Sequence, residues 1–241
     1  MLTAALLGLF AVVGLASGYV DNPLSARVEI TGVQNYSGAA LPKPAKILVY
    51  DFTISPEDIQ VDKSQQIRLR HLIEGDKTPD KVGENAVDEL SKELVKSLKK
   101  TGLPVERAKN SMTPPPDALV VKGAFLAVKE GDKAERVAAG MGAGSAGVKT
   151  KIEVSLEQAA DPVMVSAFQT DTTLANNMGA GVPMAAGANP AAVATKSKVT
   201  DRKKTVSAYA TKTADAAAKQ ITSTMAELGW VKVDSKGKVV H

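Results

Sequence analysis

The 241-residue sequence predicts an α+β fold in which a mostly antiparallel sheet is covered on one face by two helices. Three observations support this prediction. Two long segments, residues 78–102 and 200–229, carry apolar side chains at helical spacing. The segments between them are apolar or alternate as strands do. Hydrophobic residues make up 44% and charged residues 23% of the chain, a balance typical of a globular domain.

The first strand and the first helix follow a polar stretch. Residues 19–45 contain several prolines and glycines and are interpreted as an extended lead-in. Residues 46–52 form a short apolar run of β-favouring type, which predicts a buried strand. The helix after it has Thr78 as a plausible N-cap, Pro79 at its first position and Gly102 at its end.

Four further strands are predicted between the two helices. The segments 103–107, 118–128 and 148–157 are apolar or alternating, and so is the segment 163–173. The last two are expected to form a hairpin that turns at residues 159–162. Because consecutive strands joined as hairpins run antiparallel, much of the sheet is expected to be antiparallel.

The C-terminal third combines a loop with a long helix. Residues 175–198 are mostly Ala, Gly, Asn and Pro, bury little apolar area and predict a mobile loop. A helix is expected over residues 200–228, with Gly229 at its end. Its apolar stripe consists of Val206, Ala210, Ala214, Ala217, Ile221, Met225 and Leu228. Residues 230–233 predict a last edge strand, so a single domain is expected over residues 46–233, followed by a tail at 234–241.

The N-terminus resembles a secretory leader. The first 20 residues carry no charge, residues 2–16 are mostly Leu, Ala, Val and Gly, and residues 16–18 are small. This pattern predicts a signal peptide over residues 1–18 and an exported chain. The first basic residue is Arg27, so the positive start of the leader is expected upstream of Met1. The alternatives are a hydrophobic helix packed on the protein and an uncleaved anchor.

Composition excludes several kinds of chemistry. The chain has no cysteine, and its two histidines are His71 and His241. It therefore lacks the material for thiolate chemistry, for a histidine-rich metal site and for an evident Ser-His-Asp triad. The loop carboxylates Asp51, Glu57 and Asp58 have no fixed spacing and are interpreted as solvated charges. No catalytic residue, metal ligand or cofactor is predicted.

A glycine-rich tract is the candidate interaction site. Residues 142–147 fit the pattern G-x-G-x-x-G, but an alternating strand follows the glycines where a dinucleotide site needs a helix. The tract therefore predicts no bound nucleotide. It is interpreted as a loop that approaches a partner closely, and its candidate residues are Arg136, Gly140, Gly142, Gly144 and Gly147.

The charge pattern indicates which kinds of binding partner suit the chain. The chain has 30 basic and 26 acidic residues, a formal charge of +4 and a pI of 9.1. Basic groups at residues 96–100 and 202–204 favour contact with an anionic membrane surface. Acidic residues lie among them and aromatics make up only 4%, so nucleic-acid binding is not expected.

The order of segments resembles a known family. It comprises the strand KILVYDF (46–52), a leucine-striped helix, the strand ALVVKGAFLAVKEG (118–131), the tract that begins at Arg136, an alternating strand, an Ala/Gly loop and a last helix. Over roughly residues 45–229 this resembles the bacterial envelope family catalogued as domain of unknown function 4410. The resemblance implies an exported protein in a family with many lipoproteins, and it assigns no catalytic residue. Leu15 stands where a lipobox cysteine would be, so lipidation is not expected.

The functional hypothesis follows from export and from the scarcity of catalytic groups. The chain is expected to be a periplasmic or outer-membrane-associated, non-catalytic module that binds another envelope protein or itself through a sheet edge and glycine-rich loops. The element order is also similar to small α+β envelope domains such as the periplasmic core of curli secretion proteins. One alternative is a carboxylate-dependent hydrolase acting on glycan or peptidoglycan. Another is a structural protein that self-associates through its alanine-rich helix.

Overall fold

Residues 26–60, 79–129, 147–174, 202–235 and 237–240 are described by a computed structural model. They form two long helices and nine strands. In chain order these are β1 (Ala26–Asn35), β2 (Lys46–Tyr50), β3 (Ile59–Gln60), α1 (Pro79–Leu98), β4 (Val105–Ala108), β5 (Ala118–Lys129), β6 (Gly147–Leu156), β7 (Val163–Leu174), α2 (Arg202–Glu227), β8 (Lys232–Val233) and β9 (Val239–Val240).

The main sheet has the strand order β1-β7-β6-β5-β2-β4, and the short β3 pairs with the far end of β5. The α+β class is confirmed, but the prediction of a mostly antiparallel sheet is wrong because the sheet is mixed. The pairs β1–β7, β7–β6 and β6–β5 are antiparallel, whereas β2 runs parallel to both β4 and β5. The physical reason is α1, which carries the chain back across the sheet so that β4 starts at the same end as β2.

Both helices pack against one face of this sheet. The leucines Leu90, Leu94 and Leu98 of α1 are completely buried against strand residues such as Ile47 and Leu119. The alanine stripe predicted in α2 is buried in the same core, with Met225 at its C-terminal end. Small side chains let α2 lie close to the strands. This stripe faces the interior of the chain's own fold, which leaves it no surface for self-association.

Glycines end both helices, as the sequence predicts. Gly102 has a φ of 80° after the short 3-10 turn that follows α1. Gly229 has a φ of 74°, its N–H donates to the carbonyl of Ala226, and the N–H of Trp230 donates to Met225. This double hydrogen bond is the Schellman arrangement, in which a left-handed residue satisfies the last helical carbonyls. Neither helix is long and apolar enough to cross a lipid bilayer, as far as the described residues go.

The two ends of the chain differ from the prediction. The segment expected to be only a lead-in contributes β1, a ten-residue edge strand. The last edge strand predicted at residues 230–233 is wrong, because β8 leaves the main sheet and pairs only with β9. Trp230 turns inward instead. Its side chain is buried, and its Nε1 donates to the carbonyl of Leu41 at 3.2 Å.

Five chain positions that border undescribed segments lie together at one end of the sheet. Ala26 pairs with Leu174, Gly147 pairs with Lys129, and Lys129 pairs with Gln60. These pairs are the last ones at that end, so β1, β3, β5, β6 and β7 each border an undescribed segment there. The expected mobile loop at 175–198 and the signal peptide at 1–18 lie outside the described residues.

Candidate functional site

The sheet face away from the helices is open and carries charged side chains. Strand alternation places Lys122 of β5 and Lys151 of β6 on this face, while their neighbours Val121 and Ile152 point into the core. Among the described residues, a small buried apolar patch lies on this side of the sheet, at the β2–β4 end. It consists of Leu48, Tyr50, Ala108, Ala118 and Val120.

A cleft of about 450 Å³ lies where this apolar patch meets the charged rows. Its floor is formed by β5 and by the chain that leaves β2. The lining residues are Tyr50, Asp51, Thr53, Asn110, Lys122, Gly123, Ala124, Lys151 and Glu153. The cleft therefore combines two ammonium groups, two carboxylates, an amide and an aromatic ring.

The chain after β2 is held over β5 by backbone hydrogen bonds and by one glycine. The N–H of Thr53 donates to Gly123 at 3.0 Å, and the N–H of Phe125 donates to Thr53 at 2.8 Å. A Cβ at position 123 would overlap the ring of Phe52 and lie 2.7 Å from the carbonyl oxygen of Lys151. Glycine at this position therefore allows Phe52 to enter the core while Asp51 and Thr53 line the cleft.

Tyr50 forms the aromatic wall of the cleft. Its hydroxyl donates to the carbonyl of Met112 at 2.7 Å. The ammonium of Lys122 lies 5.1 Å from the centre of its ring, a cation–π distance. Burial raises the pKa of Tyr50, and the charge of Glu157 raises it further. The phenol therefore acts as a neutral hydrogen-bond donor near neutral pH.

Arg107 joins the rim of the cleft to α1. Its Nε donates to Asp51 Oδ1, and its Nη1 donates to Asp88 Oδ1 at 2.6 Å. Partial burial acts to lower the pKa of Arg107, but the hydrogen bonds to Asp88 and Asp51 outweigh it and the pKa is raised. The guanidinium thus stays charged and is shared by a carboxylate from α1 and one from the end of β2.

Ion pairs on the open face form both within one strand and between neighbouring strands. Lys151 and Glu153 of β6 are 2.7 Å apart, and Lys149 of β6 is 2.7 Å from Asp171 of β7. The hydrogen bond to Asp171 raises the pKa of Lys149, and the negative charge of Asp171 adds to this effect. On its other side, Asp171 of β7 lies directly opposite Glu29 of β1, so two carboxylates are cross-strand neighbours.

The outer edge of β1 is the second surface feature. No strand in the described part of the chain pairs with it. Arg27 and Glu29 are exposed on the open face, while Val28 and Ile30 are half-buried on the helix-covered face. The pairing with β7 shifts register after Thr31, which limits the regular part of the strand to its first six residues.

The residues singled out in the sequence fall in different places. Asp51 lines the cleft, whereas Glu57 and Asp58 lie in a 3-10 turn away from its lining. Gly147 is a buried strand residue whose added Cβ would lie 3.0 Å from the carbonyl of Thr172. Several others lie outside the described residues: Arg136, Gly140, Gly142, Gly144, His71 and His241. Gly147, the described residue of the glycine tract, does not line the cleft.

Of the nine residues that line the cleft, the sequence singled out only Asp51. Lys122 stands in a strand that reads as almost wholly apolar, Asn110 in a connector, and Glu153 among alternating charges. The alternation of β5 and β6 was the available signal for Lys122 and Glu153, but only the cross-strand register places these two residues opposite each other. Within the described ranges, no three acidic or histidine side chains group in a way that suits a metal ion.

The fold and the open face define a class: an α+β domain with one helix-covered sheet face and one charged, accessible face. The chain belongs to the family described as "Domain of unknown function (DUF4410)", whose profile matches residues 47–213. The resemblance noted from the sequence is therefore confirmed. A comparison with curated proteins finds no match.

Two solved structures are similar at low identity. A variant of PelC from Paraburkholderia phytofirmans, solved as a dodecamer, is 14% identical over 79% of this chain and 95% of that chain, with a TM-score of 0.37. A second PelC dodecamer from the same organism is 13% identical over 79% and 96%, with the same TM-score. Similarity at this level carries no argument about function or assembly.

Proposed function

We propose that this chain is an exported, non-catalytic envelope protein that binds another protein chain through the outer edge of β1. The observation that carries the proposal is the ten-residue edge strand whose outer side no described strand pairs with. Such an edge offers a row of backbone donors and acceptors to an extended segment, and alternating side chains provide specificity. The short β4 offers far less at the other edge.

A location in the periplasm or at the outer membrane is part of this proposal. It rests on the uncharged, apolar residues 1–18, on the small residues that end them and on the family resemblance. Leu15 in place of a lipobox cysteine favours a chain without a lipid anchor. The exposed Lys99 and Lys100 after α1 are suited to contact an anionic membrane surface.

A non-catalytic role is supported by the partners of the cleft's titratable groups. Asp51 accepts a hydrogen bond from Arg107, Glu153 pairs with Lys151, and the hydroxyl of Tyr50 is committed to a backbone carbonyl. A general acid or base needs an atom free to exchange a proton with substrate. The glycine tract, of which Gly147 is the described residue, remains the candidate for a second contact at the end of the sheet.

Crosslinking in living cells tests the proposal. A photoreactive side chain is placed at Arg27 or Thr31 on β1, and a matched one at Glu106 on the opposite edge strand. We expect the same single protein to be captured from both β1 positions and not from Glu106. Absence of any capture at β1, or equal capture at Glu106, would show that this edge is not the binding surface.

A carboxylate-dependent hydrolase acting on glycan or peptidoglycan is the second candidate. The observation in its favour is that Asp51 and Glu153 line one cleft. The test compares hydrolysis of purified peptidoglycan by the wild type, by Asp51→Asn, by Glu153→Gln and by the control Asp58→Asn. The leading proposal expects no turnover by any of them. Turnover by wild type and Asp58→Asn that falls at least about a hundredfold in the other two would establish the hydrolase instead.

A further inference from the structure

We infer that β1 pairs with β1 of a second copy of this chain, antiparallel and about a twofold axis that passes through Val28. This inference rests on the proposed function, because it names the partner of the same edge. In the resulting dimer the two sheets join into one continuous sheet, with all helices on the same side.

Symmetry restricts the register of such a pair. Two copies of one edge strand that run antiparallel are related by a twofold axis perpendicular to the sheet, so each side chain keeps its face. Opposed residues must share a face, because the side chains of a strand alternate with a period of two. One residue must therefore oppose its own copy on the axis.

Charge then selects among the registers open to the regular part of β1. An axis at Arg27 opposes two guanidinium groups, and an axis at Glu29 opposes two carboxylates. An axis at Val28 instead opposes Arg27 to Glu29 of the second copy, twice in the dimer. Opposite charges placed directly across a strand pair stabilise it, and like charges destabilise it. The sequence of β1 is thus complementary to itself in one register.

The row of charges across the sheet supports the same arrangement. In one copy this row reads Lys149, Asp171 and Glu29 from β6 through β7 to β1. Lys149 pairs with the Oδ2 of Asp171, whereas the Oδ1 of Asp171 is buried and has no hydrogen-bond partner among the described residues. Arg27 of the second copy would extend the row with a cation directly opposite Glu29, next to the two adjacent carboxylates of Asp171 and Glu29.

The apolar side chains of β1 on the helix-covered face are also compatible with this register. It opposes Val28 to its own copy and Ala26 to Ile30 of the second copy, and all three side chains are half-buried in a single chain. The register shift after Thr31, with Gly32 at a φ of 62°, ends the regular strand there. Pairing is therefore confined to about five residues in each copy, and an interface of this size is weak and sensitive to salt.

Charge reversal tests the inference on the purified full chain by sedimentation velocity at low and high salt. Arg27→Glu and Glu29→Arg each turn two attractive pairs into repulsive ones, so each alone should weaken dimerisation at least about tenfold. An equimolar mixture of the two variants should dimerise again, because every pair across that mixed interface is opposite in charge. The chain with both substitutions should dimerise like the wild type.

The outcomes separate this inference from the proposed function. Both positions are exposed, and circular dichroism of each variant verifies that it folds. A wild type that stays monomeric at high concentration and low salt would overturn the inference, and so would a mixture that fails to restore the dimer. If the photoreactive side chains on β1 capture a different protein in cells, the proposed function stands without self-pairing. If they capture no protein, both the proposed function and the self-pairing are contradicted.

Discussion

Tyr50 combines three contacts that a surface tyrosine does not have. Its ring packs in the small apolar patch on the open face, its hydroxyl donates to the carbonyl of Met112, and Lys122 lies over it. Burial raises its pKa, with a further contribution from the charge of Glu157. This one side chain thus links β2, β5 and the connector that follows β4.

The stability contributed by Tyr50 should depend on pH at the alkaline end. Because the pKa is raised in the folded state, the contribution is fully present below pH 10, the ordinary value, and is lost as the pH rises through the raised pKa. At pH 7 we expect Tyr50→Phe to lower the free energy of unfolding by about 1 kcal/mol. The difference between wild type and variant, measured by urea unfolding, should shrink above pH 10.

Two further observations bear on this prediction. The phenolate absorbance assigned to Tyr50 from the difference between wild type and Tyr50→Phe should appear above pH 10. A phenolate that forms below pH 10, or a stability difference that stays constant to pH 11, would contradict the raised pKa.

Gly123 is needed for space and not for backbone freedom. Since an added Cβ would overlap the ring of Phe52 and press on the backbone of Lys151, Gly123→Ala should cost about 1–3 kcal/mol of unfolding free energy. Gly147→Ala is the matched control, because it also lies in a strand but its Cβ would meet a carbonyl oxygen at 3.0 Å. Thermal unfolding should show the larger loss for Gly123→Ala. Equal losses would mean that relieving the overlap with Phe52 costs no more than the milder contact at Gly147.

At the scale of elements, hydroxyl pairs inside the apolar core join α2 to the sheet and one strand to the next. Thr172 of β7 and Thr213 of α2 are completely buried, with their Oγ1 atoms 2.6 Å apart. Thr150 and Thr170 form a second such pair between β6 and β7 at 2.7 Å. A buried hydroxyl without a partner is costly, so each pair specifies which residues face each other.

A double-mutant cycle measures the pair that joins β7 to α2. Thr213→Val leaves the hydroxyl of Thr172 buried without this partner and should cost about 1–3 kcal/mol, and Thr172→Val should do the same. Replacing both with valine removes both hydroxyls together, so the double variant should be more stable than the sum of the single losses predicts. Denaturant unfolding of the four chains provides the values. Strict additivity would show that the two hydroxyls do not interact.

Sequence patterns predict most elements because those patterns are local. The α1 stripe, its glycine stop and the alternation of β6 each depend on neighbours within a few residues. The prediction of a mostly antiparallel sheet was wrong because the direction of a strand such as β2 depends on the end of the sheet to which the chain returns after each connection. β1 was missed as a strand because its partner, β7, lies far along the chain.

For the whole molecule, the candidate surfaces form only when the fold brings distant segments together, so the sequence predicted them only in part. The sequence identified Asp51 as a carboxylate but not its contact with Arg107, which comes from β4. It indicated a sheet edge as the docking surface, yet assigned the last edge strand to residues 230–233 and not to β1. Composition, in contrast, applies to the whole chain: without a cysteine it has no thiolate chemistry, however it folds.

The pairing of Ala26 with Leu174 has a consequence for biosynthesis. β1 is synthesised first of all the strands, yet β7, the strand with which it pairs, is synthesised only after most of the other strands. Until then the nascent chain carries an unmatched strand, which is a hazard for aggregation. A chain that is truncated before residue 163 never supplies the matching strand, so it should be a substrate for chaperones and proteases and not a smaller stable protein.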